Sequence, residues 1–323
     1  MASLGELARA SGLLHAPTGR VGSALAALAV REGCDALLGA RIVAGRLEAT
    51  PDARPTLIAA YRTAIAHDLL FGRALEELGA ALRRAEIPAL LLKGAALRRL
   101  VFAAGERSMS DVDVLVPARR WSDAIAAVGA PIGVAGRPVT SRHDYAALVA
   151  VGGMPVEIHR HLCAQPLFSV DERALFLRAD EGADGLAVPA PSDLFISLAI
   201  HAAKHGFALP FRAVLDALAL APLANADAVV DRALAFRAEN ACAAWLAILV
   251  RAGLGGPWIE AASRLGATGP RARLVARTAP FGGHDRPWRR VARIAGSVTP
   301  FRAALWLGQR SLFRLLDALA THV

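Results

Sequence analysis

Two aspartates separated by a single residue, Asp111 and Asp113, have the spacing in this chain that most directly suggests chemistry. In an extended strand alternate residues share a face, so both carboxylates point one way while Val112 and Val114 point the other. Two such charges about 6 to 7 Å apart repel by roughly 2 to 3 kcal/mol at an effective dielectric of about 20. A cation between them removes that penalty. Magnesium suits the position because it prefers hard oxygen ligands, keeps several waters and is commonly shared between carboxylates and substrate phosphates. Manganese is the alternative ion. Alone, an Asp-x-Asp pair more often marks the wet edge of a strand than a metal site.

A second pair, Lys93-Gly94, lies upstream. The apolar run Ala89 to Leu92, bounded by Pro88 and Gly94, predicts a short strand covered on both faces. Beyond it Leu97, Leu100, Val101 and Ala104 follow the spacing of one helix face, with Arg98 and Arg99 turned away. The pair therefore sits where a strand passes into a helix N-terminus, a natural seat for phosphate that glycine lets a ligand approach closely. A tight turn with a solvated lysine is the plainer alternative. The chain contains only two lysines, Lys93 and Lys204, in an arginine-rich background, which singles Lys93 out.

The order Lys93-Gly94, helix, Arg107-Ser108-Met109-Ser110, then Asp111-Val112-Asp113-Val114-Leu115-Val116 resembles the signature of the polymerase-beta-like nucleotidyltransferase superfamily. More closely, it is similar to an uncharacterised bacterial nucleotidyltransferase family with a strand ending in Leu-Lys-Gly, an arginine, and an Asp-Ile-Asp-like strand. The resemblance implies an α+β fold: a polymerase-beta-like core, with a small mixed sheet and helices, flanked by N- and C-terminal helical regions. It also implies a third acidic ligand, matched by Glu157 in Met154-Pro155-Val156-Glu157-Ile158-His159-Arg160-His161. It covers roughly Pro88 to Leu220, including a helix with two histidines and Asp216. Gly94-Ala95 departs from the superfamily's usual Gly-Ser or Gly-Gly, and Glu157 stands where aspartate is more usual.

The implied reaction transfers NMP from an NTP, ATP foremost, to an acceptor with release of pyrophosphate. Asp111, Asp113 and Glu157 would hold magnesium, and Glu157 would help deprotonate the acceptor. Lys93, Gly94 and Arg107 would hold the leaving phosphates, with Ser108 and Ser110 as weaker candidates. His159, His201, His205 and Asp216 are accessory candidates. The acceptor is open: a small molecule, a peptide or protein, or a tRNA end. The alternative is a catalytically inactive binding module of the same fold for RNA or a protein partner.

Positioning these residues requires three regions: a helical one over residues 1–84, a nucleotidyltransferase core over 85–190, and a helical one over 191–323. In the first, Thr56 to Arg84 places Ile58, Tyr61, Ile65, Leu69, Leu75 and Leu78 near one side. In the core, a helix over Ala118 to Val128 turns Trp121, Ile125 and Val128 inward, and Gly129 to Val134 reads as a short strand. Tyr145–Val151 and Pro155–His161, separated by Gly152-Gly153, predict a β-hairpin with Glu157, His159 and His161 on one face. If its second arm lies beside the Asp-x-Asp strand, Glu157 reaches the same ion. Ser192 is the expected cap of a helix beginning near Asp193. His201 and His205 share one stripe of it, either as a zinc pair lacking the His-Glu-x-x-His glutamate or packed inward with Asp216 as candidate partner. Further helices are expected at Ala226–Phe236, Ala241–Leu254, Pro257–Leu265 and Phe301–Ala320.

Net charge is +9, which favours polyanionic ligands such as NTP, RNA or an acidic membrane surface. Arg271, Arg273, Arg277, Arg286, Arg289, Arg290 and Arg293, with Trp288 among them, form either a solvated basic face or a track for an RNA backbone. Cys34, Cys163 and Cys242 are widely spaced and predict no disulfide or structural zinc. No signal peptide and no membrane-length apolar run are visible, so the expected location is the cytoplasm.

Overall fold

The computed structural model describes residues 4–13, 17, 19–129, 146–163, 167–279, 287–298, 302, 304 and 305. The chain opens with α1 (Leu4–Ser11), β1 (Arg20–Val21), α2 (Ser23–Arg31), α3 (Asp35–Val43) and β2 (Glu48–Ala49), and then runs through the long α4 (Arg54–Arg84). β1 and β2 form a short parallel pair. Pro55 in the first turn of α4 is harmless, because an N–H there has no acceptor within the helix. The buried stripe of α4 runs through Leu57, Ala64, Phe71, Leu75, Leu78 and Leu82. Leu69, expected inward, is instead 75% exposed. It lies two residues from Phe71, hence on the far side of the helix once Phe71 anchors the stripe.

The sheet follows: β3 (Ala89–Leu91), α5 (Lys93–Leu100), β4 (Val112–Leu115), a 3₁₀ turn at Ala118–Arg120, α6 (Trp121–Val128), β5 (Ala146–Val151), β6 (Met154–His159), α7 (Glu172–Leu177) and β7 (Leu186–Ala187). Its five strands lie in the order β5-β6-β4-β3-β7. β6 pairs parallel with β4 and antiparallel with β5, while β3 pairs antiparallel with β4 and parallel with β7. With the helices around it, this mixed sheet makes an α+β fold. Gly152 and Gly153 adopt φ of 56° and 80°, the left-handed pair that a two-residue hairpin turn requires. Trp121 of α6 packs on the core and donates its indole N–H to the Ile158 carbonyl at 2.8 Å. Beyond residue 129 the strand expected at Gly129–Val134 lies outside the described residues.

The remaining elements are helices: α8 (Pro191–Lys204), α9 (Arg212–Leu220), α10 (Ala226–Ala235), α11 (Glu239–Arg251), α12 (Pro257–Arg264), α13 (Pro270–Thr278) and α14 (Pro287–Ser297). α8 is buried almost all round, as its sequence Leu194 to Ile200, apolar except for Ser197, requires. Ser192 does not cap it. α8 starts at Pro191 behind Ala190, and the Ser192 hydroxyl instead accepts from the Asn225 N–H at 3.0 Å, tying α8 to the start of α10. Of the expected helix Phe301–Ala320, residues 302, 304 and 305 are described and are helical. One hydrophobic cluster runs from Leu7 to Val298. Among the described residues no helix is long and apolar enough to cross a membrane.

The N-terminal helices also fix α9. Glu32, fully buried at the end of α2, accepts the Phe211 N–H at 2.8 Å with its side chain and the Arg212 N–H at 3.2 Å with its carbonyl. These are orphan donors of a helix N-terminus, satisfied from 179 residues away. Glu32→Ala is expected to lower stability by about 1 to 3 kcal/mol, the cost of a buried unsatisfied donor. A urea titration measures it, and an unshifted midpoint would show that the cap contributes nothing.

Candidate active site

The register of β4 against β6 places Asp113 opposite Glu157 and Leu115 opposite His159. Alternation puts Asp113, Glu157 and His159 on one face of the sheet and Val112, Val114, Val156 and Ile158 on the other, where all four are fully buried. His159 Nε2 lies 2.9 Å from Asp113 Oδ1 and 3.2 Å from Glu157 Oε2. One ligating atom from each of the three residues falls within 4.8 Å of the others. Asp111, just ahead of β4, stands outside this trio but lines the same cleft, and Ser110 Oγ donates to its Oδ1 at 3.0 Å.

Charge is distributed unevenly in this cluster. Burial alone would raise the Asp113 carboxyl, but the His159 hydrogen bond and the charge of Lys93 outweigh it and hold Asp113 below the usual carboxylate range. Burial opposes protonation of His159, yet its bonds to Asp113 and Glu157 outweigh that and raise it. Asp111 is pushed up, by burial first and then by the charge of Asp113. A stability profile follows from these directions. His159 contributes stability that is fully present below its ordinary 6.5 and is lost as pH rises through its higher folded value; Asp113 contributes stability present above 3.8 and lost as pH falls through its lower folded value. In chelator, the thermal midpoint should therefore decline above about pH 7, and the decline should vanish in His159→Gln. A wild-type profile that stays flat to about pH 9 would contradict this.

Lys93 and Gly94 open α5 directly after β3. Lys93 is held at φ 44°, a left-handed conformation that costs a non-glycine residue about 1 to 3 kcal/mol. Its ammonium donates to Asp113 Oδ1 and lies 4.0 Å from Glu157 Oε2. No side chain caps α5 at Leu92. Gly94 admits a side chain rather than only a ligand. A Cβ there would collide with Arg107 NH1 and sit 2.9 Å from its Cζ, so glycine is what lets that guanidinium lie on the start of α5. Arg107 in turn is gripped by Asp216 of α9, through Nε–Oδ1 and NH2–Oδ2 bonds of 2.8 Å each.

A cleft of about 240 Å³ opens between these residues and the C-terminal helices. Lys93, Gly94, Arg107, Ser110, Asp111 and Asp113 line one side of it, and Leu198, His201, Pro210, Arg212, Asp216 and Trp245 face them. Ser108 contributes its carbonyl rather than its hydroxyl, accepting from Arg212 NH1 at 3.1 Å. Sequence reasoning missed Arg212 and Trp245: one more arginine in an arginine-rich chain and an aromatic in an apolar helix carry no local signal.

The histidine pair of α8 differs from expectation. Asp216 is engaged by Arg107 and not by histidine, because a planar guanidinium meets both carboxylate oxygens at once. His201 is held well below its ordinary value by burial and then by Lys93, and His205 is pushed down to about 4 by burial and then by Lys204. Both rings are therefore neutral at physiological pH. Their centroids are 4.5 Å apart, and among the described residues no third ligand joins them to form a zinc site. In the arginine-rich C-terminal stretch, Arg293 is buried and donates to the carbonyls of Gly206 and Thr278, whereas Arg271, Arg273 and Arg277 of α13 are exposed. Arg286 and the side chains of Trp288 and Arg289 lie outside the described residues. Cys34, Cys163 and Cys242 are buried free thiols.

A family model described as an uncharacterised nucleotidyltransferase matches residues 22–252. The chain belongs to this nucleotidyltransferase family. The match extends past the Pro88–Leu220 stretch that carries the readable motif, taking in α2 to α4 on one side and α10 and α11 on the other. Family membership thus spans both the strands that bear the acidic cluster and the helices that close the cleft. Among solved structures, the chain is similar to antibiotic-resistance factor ANT(2'')-Ia, at 18% identity and a TM-score of 0.37, over 52% of this chain and 92% of that one. No curated protein matches the chain.

Proposed function

We propose that this nucleotidyltransferase-family protein transfers NMP from an NTP, ATP foremost, to a hydroxyl or phosphate acceptor and releases pyrophosphate. The observation that carries this reading is the convergence of Asp113, Glu157 and His159 on one sheet face beside the Lys93-Gly94 turn. Two carboxylate oxygens fit a magnesium ion, and the imidazole nitrogen makes the trio equally suited to manganese. A divalent ion bound there would neutralise triphosphate charge and polarise the α-phosphate. When protonated, His159 acts instead as a clamp, holding the two carboxylates in register through its N–H.

The chain's own groups divide the remaining work. Lys93 and the uncapped amides of α5 hold the phosphates, and Arg107 adds charge from beside Gly94. Asp111 takes the acceptor proton: it lines the cleft, and burial and the charge of Asp113 raise its proton affinity above that of an ordinary aspartate. Arg212 and the apolar side chains of α8 and α11 wall off the opposite side. The test is to incubate the protein and a cell extract with each NTP labelled at the α-phosphate or at the γ-phosphate. Transfer of α-label and not γ-label to an acceptor supports the reading; transfer of γ-label, or of neither, would overturn it.

A further inference from the structure

We propose that the Lys93 ammonium is the resident cation of the acidic cluster, and that a divalent ion enters only by displacing it, so metal binds together with nucleotide rather than ahead of it. This rests on the metal-dependent reading above. The residues concerned are the same ones: Lys93 Nζ bonds Asp113 Oδ1 and lies 4.0 Å from Glu157 Oε2, and these two residues supply the carboxylates of the candidate metal trio. An ammonium and a divalent ion cannot share them, since like charges at such range repel strongly in a site where Asp113 is 5% exposed.

Lys93 has somewhere to go. Its side chain is 25% exposed, and it heads a helix whose N-terminus no side chain caps. A triphosphate seated there offers the ammonium a new partner and delivers the ion that replaces it. Nucleotide and metal then strengthen each other's binding, and the coupling runs through one side chain.

Titration with Mn2+, followed by its paramagnetic signal, tests this in wild type and in Lys93→Gln, with and without a non-hydrolysable NTP. Without nucleotide, Lys93→Gln should bind Mn2+ about tenfold or more tightly than wild type. Nucleotide should tighten Mn2+ binding in wild type far more than in the variant. Equal affinities in the two proteins would overturn the lysine's role while leaving the metal site standing; no Mn2+ binding by either protein even with nucleotide would overturn both. Should the variant fail to fold, wild type alone decides. With two lysines in the chain, selective 13C-lysine labelling gives a two-signal spectrum. The Lys93 signal should move when Mg2+ and nucleotide are added together, and an unmoved signal under saturating ligand would contradict displacement.

Discussion

Replacing Asp113 by asparagine is expected to cut NTP turnover by about 10³-fold, equivalent to roughly 4 kcal/mol of transition-state stabilisation. The substitution keeps the shape and an acceptor oxygen but removes the charge on which two neighbours depend. Lys93 and His159 both bond Oδ1, and Asp113 belongs to the candidate metal trio. Glu157→Gln should cost less, because the Glu157 side chain is 38% exposed against 6% for Asp113 and water substitutes for part of its field. Single-turnover rates with circular dichroism as a folding control decide the order. Turnover of Asp113→Asn within about threefold of wild type would remove the strand pair from the chemistry.

Asp216→Ala should produce the largest loss of stability among single changes at the site, about 3 to 5 kcal/mol. The Arg107 and Asp216 side chains are only 10% and 6% exposed, so deleting the acid leaves a buried guanidinium uncompensated. Removing both charges separates structure from function. A double variant, Arg107→Met with Asp216→Leu, should recover most of the stability, since apolar replacement of a buried pair is often neutral. It should still bind NTP poorly, because the positive charge beside Gly94 is gone. Guanidinium unfolding gives the first quantity and nucleotide titration the second. A single-variant loss below about 1 kcal/mol would show that the pair is effectively solvated.

Much of this arrangement is legible in local sequence. β3, β4 and the β5–β6 hairpin are short apolar runs punctuated by Pro88, Gly94, Pro117 and Gly152-Gly153, and such punctuation constrains strands tightly. Spacing alone also puts Glu157 and His159 on one face. What spacing cannot carry is that β6 lies parallel beside β4 with Glu157 opposite Asp113, because strand order in a mixed sheet is a long-range choice. The same holds for Arg107 with Asp216, 109 residues apart, and for Glu32 at the start of α9. Local reasoning offered Asp216 the histidines of the preceding helix. A buried bidentate arginine prevailed because it satisfies both carboxylate oxygens with two parallel N–H groups. Leu69 failed for a different reason: several apolar stripes coexist on an alanine- and leucine-rich helix, and packing of Phe71 selects one.

The most direct measurement is anomalous diffraction at the manganese edge from crystals of the full chain grown with Mn2+ and a non-hydrolysable NTP. The account predicts a peak bonded to Asp113 and Glu157, with the nucleotide phosphates at the start of α5 and the Lys93 ammonium turned toward them. A peak elsewhere, or nucleotide bound with Lys93 still on Asp113, would contradict it.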